Sequence, residues 1–98
     1  MVRIEFHPEA VNELEASADW YAEQSPTAAR EFALAVDAAL NKIRRNPQRF
    51  LKIDRRHQSC SVIRYPFQVV YRYESDRIYV VAIAHAKRRS GYWRSRSP

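Results

Sequence analysis

Two runs rich in β-branched and aromatic residues, Phe67 to Tyr73 and Arg77 to His85, flank a polar stretch centred on Ser75-Asp76. Runs of this kind read as strands, and a two-residue loop between them makes an antiparallel hairpin whose register follows from the loop. With Ser75 and Asp76 in the loop, Tyr73 pairs with Ile78. A regular pleat then puts Phe67, Val69, Tyr71 and Tyr73 on the same side as Ala84, Ala82, Val80 and Ile78. That side is nearly all apolar and is the expected core. The other side carries Gln68, Val70 and Arg72 opposite Ile83, Val81 and Tyr79, with His85 at the strand end, and is the expected open surface.

The residues upstream must supply a layer to cover the core side. Val2, Ile4 and Phe6 alternate with Arg3 and Glu5, the period-two pattern of a first strand. Pro8 suits the first position of a helix, where its missing N–H costs nothing, and Glu9, Glu13 and Glu15 favour the positive end of that helix's dipole. Val11, Leu14, Ala18 and Tyr21 recur at helical spacing, with Trp20 beside them also expected in the core. Ser25-Pro26 closes this helix and opens another, Ser25 as cap and Pro26 as first residue. Phe32, Val36, Leu40 and Ile43 form the apolar stripe of the second helix, which should end at Asn46-Pro47 because the residue before proline avoids helical geometry. Lys42, Arg44 and Arg45 in its last turn complement the dipole. A further short strand is expected over Ser59 to Arg64. The predicted fold is therefore α+β, one domain in the order β-α-α-β-β-β, with the helical hairpin packed on one face of the sheet. Residues 86–98 form a basic, partly ordered C-terminal tail, and Arg94 to Pro98 are expected to fray without a partner.

Several classes are disfavoured by composition. Cys60 is the single cysteine of the 98 residues, so no internal disulfide forms, and no Cys/His spacing suits a structural zinc; neither metal nor cofactor is expected. The opening MVRIEFHPEA lacks the apolar core of a leader, and no stretch approaches a membrane span, so a cytoplasmic protein is expected. A chain this short closes one core with little left to wall off a deep pocket, which puts function on an open face. Charge is divided: residues 1–40 hold two basic and eight acidic side chains, residues 41–98 fifteen basic and three acidic. So dense a basic block favours an anionic partner, nucleic acid or acidic protein, over a merely solvated surface.

Arg64 to Trp93, reading RYPFQVVYRYESDRIYVVAIAHAKRRSGYW, resembles the C-terminal half of RelE/ParE superfamily toxins, most of all the ParE-like branch. The resemblance rests on Tyr65, Pro66, Val69, Val70, Tyr71, Ala84, His85, Arg88, Tyr92, Trp93 and Arg96. Arg89 and Ser90 depart from it, because that branch usually carries an acidic residue and a proline before the glycine of the tail. The resemblance implies the toxin of a type II toxin-antitoxin, plasmid-stabilisation type module, silenced by a cognate antitoxin whose own N-terminal part binds DNA. It also implies one of two targets: DNA gyrase, blocked without chemistry, or the ribosome, where messenger RNA is cut by a metal-free ribonuclease. An inactive member that only binds antitoxin is a third reading. An antitoxin helix across Val70, Val81 and Ile83 would cover an apolar patch otherwise facing water.

Cleaving RNA through its 2′-hydroxyl needs a base, a cation for the charged phosphorane and an acid for the leaving oxygen. The candidate set is His85, Arg72, Arg64 and Tyr92. Arginine stays protonated and steadies phosphate without serving as base, and only His85 titrates near neutrality unperturbed. Lys87 or Tyr92 as acid would need a strong pKa shift. A structural His85, fixing the tail's exit from its strand, is weighed against the catalytic one. For target binding the candidates are Arg64, Arg72, Lys87, Arg88, Tyr92, Trp93, Arg94 and Arg96, with Tyr92 and Trp93 able to stack on bases or fill a partner's pocket. Trp93 is equally suited to staple the tail onto the domain. His7 and His57 are read as incidental.

Overall fold

In a computed structural model describing residues 2–97, the chain runs β1 (Arg3–Phe6), α1 (Pro8–Gln24), α2 (Pro26–Arg45), β2 (Leu51–Lys52), β3 (Gln58–Ser61), β4 (Phe67–Glu74) and β5 (Arg77–His85). One mixed sheet has the order β1-β5-β4-β3-β2, with β1 parallel to β5 and the other pairs antiparallel. The predicted order of strand, helical hairpin and strands is present. The two-residue β2, paired to β3 through Leu51 and Lys52, is an addition to it.

Local chemistry sets the helix ends. His7 accepts the Glu9 N–H at Nδ1, 3.0 Å, so it caps α1 with Pro8 as first helical residue. Ser25 Oγ accepts the Ala28 N–H at 2.9 Å and caps α2, which stops at Arg45 before Asn46-Pro47. Phe32, Val36, Ala39 and Ile43 are the buried face of α2. Tyr21 stacks on Phe32, and Tyr65 meets both rings edge-on. Trp20 is not in the core: it is 56% exposed, because it lies one position round the helix from Tyr21.

Tyr73 pairs with Ile78 as the turn chemistry requires, and Ser75 and Asp76 both have positive φ, 52° and 58°. Farther along, the regular pleat fails. Tyr71 pairs with Val80 but Val70 with Ala82, so Val81 is an extra residue in β5. Such a bulge moves every later side chain to the opposite face. Ile83 therefore packs in the helix-side core with Val69, Val80 and Ile78, while Ala82 and Ala84 join Val70, Tyr79 and Val81 on the far side. The expected facing of Ala82, Ala84, Ile83 and His85 is thus reversed.

The far side is not open either. Val70, Val81 and Ile83, expected to face water, are 1% exposed or less: Ile83 lies beneath the helices, while Val70 and Val81 cluster with Trp93 from the C-terminal tail. The sheet is the middle of three layers.

Candidate functional site: the tail-covered face of the sheet

The tail leaves β5 through a short extension of the hairpin, Ala86 N–H to the Pro66 carbonyl at 2.8 Å. His85 then shapes the exit. Its Nδ1 accepts the Lys87 N–H at 3.0 Å, and its ring meets Phe67 edge-on. Beyond it, successive turns join Arg88 to His85, Tyr92 to Arg89, Arg94 to Gly91 and Arg96 to Trp93 through single backbone hydrogen bonds. Gly91 permits the central turn with φ +78°, and its bare Cα lets the Arg94 guanidinium fold over it.

Two carboxylates hold this segment down. Asp54, in the loop between β2 and β3, accepts the Arg56 and His57 N–H groups, the His57 ring at 2.9 Å and Arg94 Nε at 3.1 Å. Burial works to raise its pKa, but these hydrogen bonds outweigh it and hold the carboxyl well below the usual range. His57, 4% exposed, lies against Trp93, which is itself 4% exposed. Neither His7 nor His57 is incidental: one caps a helix and the other supports the tail.

Glu13, on α1, is the second anchor. Its Oε1 accepts the Ile83 N–H at 3.0 Å and Arg96 Nη1 at 3.1 Å; its Oε2 accepts Tyr92 OH at 2.8 Å and Arg96 Nη2 at 2.9 Å. The Arg88 guanidinium lies over the Tyr92 ring at 3.9 Å. Burial first, then the hydrogen bond and charge of Glu13, push the Tyr92 phenol up to about 12 against the pull of Arg88 and Arg96. That is the wrong direction for a proton donor near neutrality. Arg96, expected in a fraying end, is half-buried in this forked ion pair.

The other expected residues are dispersed. Arg72 is 4% exposed rather than on an open face; its guanidinium rests over Tyr79 and reaches the Arg96 carbonyl at 3.4 Å. Arg64 is not on a strand, since β3 ends at Ser61 and a turn from Val62 to Tyr65 precedes Pro66. It adopts φ 73°, is exposed and lies beside Glu31 and Leu34 of α2. Lys87, Arg88 and Arg89 remain exposed. Arg88 and Arg89 stand at the rim of a groove of about 420 Å³, whose lining includes Ser59, Ser61, Gln68, Leu51 and Trp93.

A family model described as the ParE toxin of the type II toxin-antitoxin system parDE matches residues 4–90. The chain belongs to this ParE toxin family. A solved structure described as the chromosomal ParDE TA system from P. aeruginosa is similar in fold, with a TM-score of 0.76 at 15% identity, over 89% of this chain and 98% of that one. No curated protein matches the sequence. Among the described residues of this ParE-family chain, no helix is long and apolar enough to cross a membrane.

Glu13 and Asp54 were the residues that sequence reasoning missed. In the sequence Glu13 reads only as a helix-dipole partner, and nothing singles out Asp54. Their one legible signal was charge: Glu13 belongs to the acidic half that the basic tail needs, and Asp54 is one of only three acidic residues after position 40.

Proposed function

We propose that this ParE-family toxin inhibits growth by gripping DNA gyrase, without chemistry of its own, and is neutralised by a cognate antitoxin through which alone it meets DNA. The observation that carries the choice of target is the state of Tyr92. Its hydroxyl is spent on Glu13 and its pKa is raised, so the tyrosine among the candidate proton donors for ribonuclease chemistry is withheld. Arg72 beneath the tail, His85 bonded to the Lys87 N–H and Arg64 beside α2 agree with this, since they do not surround one point where a phosphate would sit.

On this reading Lys87 and Arg88 meet the target directly, joined by the exposed Arg89. Tyr92, Trp93, Arg94 and Arg96 set the shape that presents them, and the action lies in the cytoplasm with gyrase and its DNA. The test is a supercoiling and DNA-cleavage assay with purified gyrase, with and without the partner protein encoded beside the toxin. Broken DNA that accumulates with toxin and disappears with the partner is the expected result. Untouched gyrase together with cleaved ribosome-bound messenger RNA would overturn it, and loss of growth inhibition in the intact chain would point to a member that only binds antitoxin.

A further inference from the structure

The segment carrying the proposed target contacts is not held by its own backbone. Residues 88–96 are a series of turns, each closed by a single hydrogen bond, and such turns do not persist in water without tertiary support. Their position must come from side chains. We propose that Glu13, in the acidic half of the chain, is the positioning residue of the tail beyond Lys87, fixing where Arg88 and Arg89 stand; this rests on the reading that the tail grips the target.

The geometry begins at a sheet edge. Strand β1 ends at Phe6, and the last backbone bond on that side of β5 is His7 N–H to the Val80 carbonyl, 2.8 Å. Past that point the Val81 carbonyl and the Ile83 N–H have no strand beside them. Arg96 Nη1 donates to the first at 3.0 Å, and Glu13 Oε1 accepts from the second at 3.0 Å. The edge of β5 thus locates both partners independently, and their two parallel N–H to oxygen bonds close a fork between them. Both side chains are 14% exposed, so solvent screens the pair little. Tyr92 and Arg88 arrive at the same carboxylate, the latter at 3.9 Å. One side chain on α1 therefore gathers three residues spread over the tail.

The tail is also separable from the main core. The helix-side cluster built on Phe32, Val36, Ile43, Val69 and Tyr71 contains no tail residue. Glu13→Gln keeps the size of the side chain and an oxygen for the Ile83 N–H, but sets an amide against the Arg96 fork.

The experiment combines amide hydrogen exchange with the gyrase assay on the full chain. In Glu13→Gln, exchange over residues 88–97 should quicken about tenfold while α2 is unchanged, because losing one charged fork is worth at least a factor of ten. Gyrase inhibition should then need roughly tenfold more toxin. Arg96→Gln should loosen the tail in the same direction, and the double variant should be no worse than Glu13→Gln alone, since the unpaired Arg96 charge is gone. Unchanged tail exchange in Glu13→Gln overturns the proposal, as does a loosened tail with undiminished gyrase inhibition. If the unaltered chain leaves gyrase untouched, the proposed function fails while tail exchange still decides the role of Glu13: faster exchange supports it and unchanged exchange overturns it.

Discussion

The indole of Trp93 lies against the imidazole of His57, ring centroids 4.7 Å apart, and Asp54 beneath them binds both the His57 ring and Arg94. The tail is therefore joined to the β2–β3 loop by an aromatic contact and an ion pair at adjacent residues. Trp93→Ala removes the largest apolar side chain of the far-side cluster, and we expect a loss of about 3 kcal/mol, read as a shift of the urea midpoint. Trp93→Phe should lose much less. With Trp20 replaced by Phe to remove the exposed indole, the remaining fluorescence should red-shift when the tail is released.

Asp54 makes stability depend on acid. Its folded pKa is depressed, so its contribution is complete above the ordinary carboxylate value and is lost as pH falls through and below it. The unaltered protein should therefore lose stability progressively below about pH 4. Asp54→Asn should be less stable at neutral pH by on the order of 1–2 kcal/mol, allowing for partial solvent screening, and its curve should be flatter in acid. Denaturant titrations from pH 7 to pH 3 measure both; parallel curves for the two proteins would contradict this role.

The hairpin between β4 and β5 is built on residues ill suited to it. Ser75 and Asp76 both occupy the left-handed region, which Asn-Gly fills at lower cost. Ser75→Asn with Asp76→Gly should stabilise the fold by about 0.5–1 kcal/mol and raise Tm by several degrees, despite losing the exposed Tyr73 to Asp76 hydrogen bond. A calorimetric scan of the double variant is sufficient.

Gly91 is constrained twice over. A Cβ there would collide with Arg94 Nη1 in a residue with φ +78°. The guanidinium is flexible and will move aside, taking Arg94 away from Asp54. Gly91→Ala should cost about 1–2 kcal/mol, most of it backbone strain. In a double-mutant cycle the cost of Asp54→Asn should shrink in the Gly91→Ala background, since Arg94 has already left.

The helical hairpin, the Ser25 cap and the β4–β5 register next to its turn were legible because each follows from local signals: Pro8, Ser25-Pro26, the Phe32 stripe and the Ser75-Asp76 loop. What escaped depends on contacts distant in sequence. Val81 carries nothing that marks it as a bulge among other β-branched residues. Arg96 reads as a solvated end until Glu13, 83 residues away, is placed beside it. Arg72 looked like a surface cation because half of a strand pair normally faces water, and only the tail's return over the sheet buries it.

The extra residue in β5 lets one strand serve two interiors in turn. Before Val81, the helical layer receives Ile78 and Val80; after it, the layer receives Ile83, and the tail receives both Val81 and Ala82. A strand of strict period two could not change partners in this way. Deleting Val81 would close the bulge and leave Ala82 and Ile83 on the faces they already occupy, whereas inserting one residue between Ala82 and Ile83 would put Ile83 under the tail and Ala84 under the helices, an exchange of volumes that neither layer is shaped to accept. Side-chain substitutions in this strand alter packing locally, whereas such an insertion rewrites the assignment of every later residue up to His85.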